Sequence, residues 1–221
     1  DYEATIDTYL DVLDMHGIER AVLVQPSFLG TDNGYLLACL KSHPDRLRGI
    51  VVLDPRTSDG ALEDLAATGV IGHRYNMIGR DGGVLSTRSY RSLTVRATAL
   101  GWWTEIQARG LDWPDIARLM DDLGARVMID HFGLPSGLTC PGIAALERID
   151  PTRMGLKLSA PYRQDTPDHA HAARRLIPLL AEAPRDLHHI CGFEWRAGQG
   201  LQARLCRRPG LGGTAGSRLC L

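Results

Sequence analysis

Apolar positions along this chain fall into two patterns. Short unbroken runs read as strands buried on both faces, and longer stretches with apolar residues every three or four positions read as amphipathic helices. Residues 3–16 place Ile6, Tyr9, Leu10, Leu13 and Met15 at helical spacing, and His16-Gly17 supplies a C-cap. Ala21-Val22-Leu23-Val24-Gln25-Pro26-Ser27 then predicts a strand that ends in polar and turn residues. A helix starting at Asp32 or Asn33 runs to about Ser42, where His43-Pro44-Asp45 breaks it, and Leu47 to Asp54 is the next strand. The alternation continues with helices near 59–68, 86–100, 112–123, 141–149 and 168–183. Between and after them lie strands near 70–77, 102–107, 126–129, 154–160 and 187–192.

Seven strands alternating with helices argue for an α/β fold with a parallel sheet under helical cover. A doubly wound open sheet and a (β/α)8 barrel both fit this pattern. A helix before the first strand favours a TIM-type barrel whose opening strand lies upstream of Asp1. The chain starts at Asp1, inside an amphipathic segment, so it reads as a fragment of something longer. The expected fold is therefore an incomplete (β/α)8 barrel, with its first strand missing and its last helix replaced by an irregular tail.

Charge and composition sharpen the division into parts. Residues 196–221 carry five arginines, six glycines and no acid; without them, residues 1–195 hold 20 basic and 26 acidic residues. Residues 1–195 are thus expected to form the barrel domain, and 196–221 a disordered basic tail or a shifted reading frame. The whole chain has a net charge of -1 and 6% aromatic residues, which disfavours nucleic acid and anionic membranes as partners. No apolar run approaches the roughly 20 residues that span a bilayer, and no signal-peptide pattern opens the chain. Five scattered cysteines without a CxxC pair point to a reduced, cytoplasmic setting. An oligomer is compatible with all of this.

In a parallel sheet the C-terminal ends of the strands share one face, which is where such folds keep their chemistry. Here those ends carry Gln25 and Ser27; Asp54; Arg74, Asn76 and Arg80; Glu105 and Gln107; Asp130 and His131; Lys157, Ser159, Tyr162 and Arg163; and Glu194. Arginine grips carboxylates through a planar fork of N–H donors, so Arg74, Arg80 and Arg163 around one pocket suit a substrate with several carboxylates. The competing reading pairs them with Asp54, Glu105 or Asp130 in structural ion pairs. Metal-dependent barrel hydrolases need several converging histidines, commonly an HxH on the first strand. His131 is the one convincing histidine at a strand tip, so no metal site is expected in this chain. No GxSxG, P-loop or GxGxxG is present either.

The segments RAVLVQPSFLGTDNGYLL, DRLRGIVVLDP, GHRYNMIGR, VMIDHFGLP and LKLSAPYR resemble, in order, the amidohydrolase-related proteins of the pyrone-dicarboxylate lactonase group. The resemblance covers about residues 2–195. It implies a (β/α)8 barrel and a hydrolase that opens a lactone or ester of a small carboxylate-bearing substrate, in the degradation of aromatic compounds. By motif, Arg74, Arg80 and Arg163 would bind carboxylates, with Gln107 and Tyr162 lining the pocket, and His131 would polarise the scissile carbonyl. Gln107 stands where zinc-dependent relatives carry a histidine, which implies metal-free chemistry; zinc in the full-length protein is the alternative, together with a zinc-dependent amidohydrolase or decarboxylase activity. A non-catalytic carboxylate binder is the other reading. The family's last strand ends in a G-S-D-W-P type motif with a general-base Asp; here Gly192-Phe193-Glu194-Trp195-Arg196 offers Glu194 in its place. A base displaced by one methylene implies poor activity for this chain. Asp130, one residue before His131, is expected to point away from the barrel interior.

Overall fold

In the computed structural model, described for residues 5–165, 168 and 170–182, six strands form one parallel sheet. They are β1 (Ala21–Val24), β2 (Leu47–Val51), β3 (Val70–Asn76), β4 (Trp103–Gln107), β5 (Arg126–Ile129) and β6 (Met154–Leu156). Their order in the sheet is their order in the chain. A doubly wound sheet reverses its order at a switch point, whereas a barrel wall adds each strand beside its predecessor. The order therefore decides for an incomplete (β/α) barrel. The expected strand at 187–192, Glu194 and the tail at 196–221 lie outside the described residues.

Helices follow the strands in turn: α1 (Ile6–Met15) before β1, then α2 (Gly34–Ser42), α3 (Asp59–Ala67), α4 (Arg88–Ala99), α5 (Trp113–Asp122), α6 (Pro141–Leu146) and α7 (His171–Leu176). Local chemistry sets several of their starts. Thr5 and Ser58 cap α1 and α3 by accepting from the backbone N–H groups of Thr8 and Ala61, and Pro114 sits in the first turn of α5. The helix expected over 168–183 is shorter than its apolar pattern: α7 stops at Leu176 and a 3-10 stretch, Ile177–Glu182, continues. Pro178 explains the break, since it removes an N–H that an α-helix needs. Among the described residues no helix is long and apolar enough to cross a membrane.

The two faces of the sheet do different work. Ile106, Val127, Ile129, Met154 and Leu156 join Leu62, Leu93, Ile116 and Leu146 of the helices in one buried apolar cluster. The alternate positions face the barrel interior. Register places Gly72 beside Trp103, Glu105 beside Met128, and Met128 beside Gly155. Trp103 and Met128 fill the lower interior because Gly155 makes room: a Cβ there would lie 2.3 Å from the Met128 methyl. Above this apolar floor the interior becomes charged.

Candidate active site

Arg74 of β3 and Glu105 of β4 are direct register partners. Asp130 follows Met128 by two residues, and Lys157 follows Gly155 by two, so all four side chains project into the interior. There they form a closed quartet. Arg74 Nε lies 2.9 Å from Glu105 Oε1 and its Nη2 2.9 Å from Asp130 Oδ2. Lys157 Nζ lies 2.7 Å from Glu105 Oε1 and 2.7 Å from Asp130 Oδ1. Glu105 and Asp130 are fully buried, and Lys157 and the Arg74 side chain are nearly so.

Two cations and two carboxylates make the quartet neutral, which is what allows charge at this depth. Burial pushes the Asp130 carboxyl up, but Lys157 and Arg74 outweigh it and hold the group below its ordinary value. Burial dominates at Glu105, aided by the neighbouring Asp130 charge, and raises its pKa. Burial lowers the Lys157 ammonium, yet the two carboxylates more than compensate and its pKa is raised. Lys157 is therefore a charged clamp, unlike a depressed, nucleophilic lysine.

The expectation that Asp130 points outward is overturned. Alternation along β5 holds through Asp130, which keeps the inward phase of Met128. His131 then leaves β geometry altogether, with φ 50 and ψ 48. His131, Phe132, Gly133 and Leu134 all have positive φ, a left-handed turn that costs about 1–2 kcal/mol at each non-glycine residue. Packing holds it in place. Trp113 Nε1 donates to the Gly133 carbonyl at 2.9 Å, Gly110 N donates to the Leu134 carbonyl at 2.9 Å, and Phe132 is buried. Such strain, fixed by its surroundings, is a mark of functional positions.

The turn brings His131 to the mouth, where its Nδ1 lies 3.0 Å from Ser159 Oγ and its Nε2 3.4 Å from Arg163 Nη1. Of the residues singled out from sequence, the fold thus joins Arg74 with Gln107, and His131 with Arg163. Arg74 Nη2 donates to Gln107 Oε1 at 2.5 Å, and its Nη1 to Ser27 Oγ at 2.5 Å. Asn76 Nδ2 also donates to Ser27 Oγ, at 2.8 Å. Tyr162 and Arg163 stand exposed in the loop after β6, and Arg80 is exposed in the loop after β3. Lys157 and Ser159 gain the most from the structure: sequence placed them at a strand tip without partners. The signal was available, since charges of both signs interrupt four neighbouring apolar strands at matching depth.

The donor set is a poor match for a metal ion. Glu105 and Asp130 are committed to Lys157 and Arg74, and His131 to Ser159. Among the described residues no group of three or more His, Cys, Asp or Glu could hold one.

Comparison with known proteins gives the family and the fold. The family model described as amidohydrolase matches residues 1–186. The chain is 26% identical to D-galactarolactone isomerase of Agrobacterium fabrum over 196 residues, which are 86% of this chain and 65% of that protein. It is 30% identical to 2-pyrone-4,6-dicarboxylate hydrolase of Comamonas testosteroni over 122 residues, which are 55% of this chain and 40% of that protein. The chain therefore spans less than two thirds of the length of these relatives. A crystal structure of a probable 2-pyrone-4,6-dicarboxylic acid hydrolase from Acinetobacter baumannii, with citric acid bound, superposes with a TM-score of 0.74. It is 31% identical, and the match covers 82% of this chain and 70% of that one.

Proposed function

Because the chain belongs to the amidohydrolase family, we propose that it is a hydrolase that opens the lactone or ester of a small carboxylate-bearing molecule with activated water. The observation that carries this reading is the His131–Ser159–Arg163 cluster, held on a strained turn at the C-terminal end of the sheet. In this reading Arg163 and Arg80, with Tyr162 and Gln107, receive the carboxylates of a pyrone-dicarboxylate-like substrate, and Arg74 completes the basic set from below. His131 polarises the carbonyl under attack. Glu194, outside the described residues, is the proposed base for water. The lactone name of one relative, the pyrone-dicarboxylate name of another and the citric acid in the similar crystal structure support a multiply charged carboxylate as ligand.

Residues 1–195 form the catalytic unit in this proposal, supported by the family match to residue 186. A cytoplasmic setting belongs to it as well, supported by the buried free thiols of Cys39 and Cys140. The test is ring opening of 2-pyrone-4,6-dicarboxylate by the 221-residue protein, followed by loss of pyrone absorbance. Slow hydrolysis that disappears in His131→Ala is expected. Tight binding of the pyrone without product would favour the non-catalytic binder, and neither binding nor hydrolysis would overturn the carboxylate-lactone reading.

A further inference from the structure

Gln107 ends β4 at the boundary between the charged interior and the mouth, and it is nearly buried. A side-chain amide can offer either its oxygen or its nitrogen to a neighbour, so its polarity normally follows from context. Here the context leaves one choice. The neighbour is Arg74, and a guanidinium has donors and no acceptor. Gln107 must turn Oε1 toward Arg74, as it does at 2.5 Å. Its Nε2, with two N–H donors, is thereby left for whatever occupies the mouth, and it makes no hydrogen bond with the described residues.

The same logic fixes Ser27. Its Oγ accepts from both Arg74 Nη1 and Asn76 Nδ2, so its own proton must be given elsewhere. Arg74 cannot rotate away from either task, because Glu105 and Asp130 hold its Nε and Nη2.

We propose that Arg74 is a positioning residue that sets the polarity of the mouth: by taking the acceptor atoms of Gln107 and Ser27, it makes Gln107 a specificity-determining donor for a substrate carboxylate or carbonyl oxygen. This rests on the carboxylate-lactone reading and extends it. Gln107 selects ligands that present an acceptor at its position and disfavours those that present a donor there. The carboxylates of Glu105 and Asp130, which would repel an anionic ligand, are shielded beneath this layer by the two cations that bind them.

The test is calorimetric titration of the full chain with 2-pyrone-4,6-dicarboxylate. Gln107→Met keeps the length of the side chain and removes the donor; binding about 10- to 100-fold weaker than wild type is expected for losing a hydrogen bond to a charged group. Gln107→Glu keeps an acceptor for Arg74 and offers only acceptors to the ligand, so it should bind more weakly still. Gln107→Met should melt close to wild type, since it adds no charge beside the quartet, whereas Gln107→Glu sets a third carboxylate against Arg74 and should melt lower. The order wild type, then Met, then Glu is the expected result. Met binding as tightly as wild type, or Glu binding more tightly, would overturn the donor role while leaving the lactone reading standing. A wild type that fails to bind the pyrone would overturn both.

Discussion

Replacing Lys157 with methionine removes one cation from the buried quartet and changes little else in shape. Glu105 and Asp130 then share a single cation, Arg74, and the interior carries a net negative charge. The Lys157 ammonium is 2.7 Å from each carboxylate and its side chain is 8% exposed, so solvent cannot take over its role. Breaking a buried ion pair by removing one partner costs about 3–5 kcal/mol. In a chain of this size that corresponds to a fall of about 6–20 °C in melting temperature. The cost also depends on pH in a defined direction. Glu105, whose pKa is already raised, loses an attractive neighbour in K157M and rises further. The folded variant therefore holds a proton that the unfolded chain releases above its ordinary glutamate pKa, so stability falls as pH rises through the folded value. Urea denaturation at pH 5 and pH 8 measures both effects. The double variant K157M/E105Q, which removes one negative charge as well, should recover part of the loss. A loss below about 1 kcal/mol, or an equal loss at the two pH values, would refute the account of the quartet as a neutral, mutually dependent unit.

Two other expectations follow from single residues. His73 of β3 is fully buried against Thr104 and Tyr75, and burial lowers its pKa to about 3 from 6.5. The unfolded chain takes up a proton below pH 6.5 that the folded chain refuses, so stability is lost as pH falls from 6.5 toward 3, by about 1.4 kcal/mol per pH unit. Comparing the pH slope of wild type with that of His73→Gln isolates this contribution, and parallel slopes would discount it. Gly133→Ala places a Cβ 2.5 Å from Leu146 Cδ1 and 3.0 Å from Trp113 Nε1 at a φ of +76. The strain should cost about 1–3 kcal/mol, visible as a lower urea midpoint, and should shift His131 enough to lower any turnover of pyrone dicarboxylate; an unchanged midpoint would contradict the packing argument.

Much of the wall was legible because its punctuation is local. Glycines and prolines bound each apolar run, so β1 to β6 were found to within a few residues, and their spacing implied parallel pairing. What sequence could not provide was the phase of β5. The alternation rule was sound for Asp130 and His131 as neighbours in a strand, but it assumed that both were still in one. His131 is not, and the rule consequently gave the wrong residue to the interior. The left-handed turn is set by contacts from Trp113 and Gly110, distant in sequence, and no property of Asp-His-Phe-Gly alone dictates it. The quartet was legible in part: the pairing of Arg74 with Glu105 or Asp130 was one of two readings of its charge, but Lys157 read as a separate strand-tip group, and only the register of β3 through β6 makes the four one object. The end of α7, by contrast, was readable at Pro178 and was outweighed by an apolar pattern that runs past it.

The quartet also constrains how this sequence can change over generations. Each of its four members is tied to two others or bridges two of opposite sign, and any single replacement leaves an uncompensated charge where water cannot reach. A lineage moving from this arrangement to an apolar or metal-holding interior must pass through intermediates that fold poorly, unless two changes arrive together. Arg74, Glu105, Asp130 and Lys157, spread over 84 positions of chain from first to last, are therefore expected to be inherited as a block. Variation among descendants should gather at the mouth above them, at positions such as Gln107, Tyr162 and Arg80, where a substitution alters what is bound without unsettling what holds the barrel wall together.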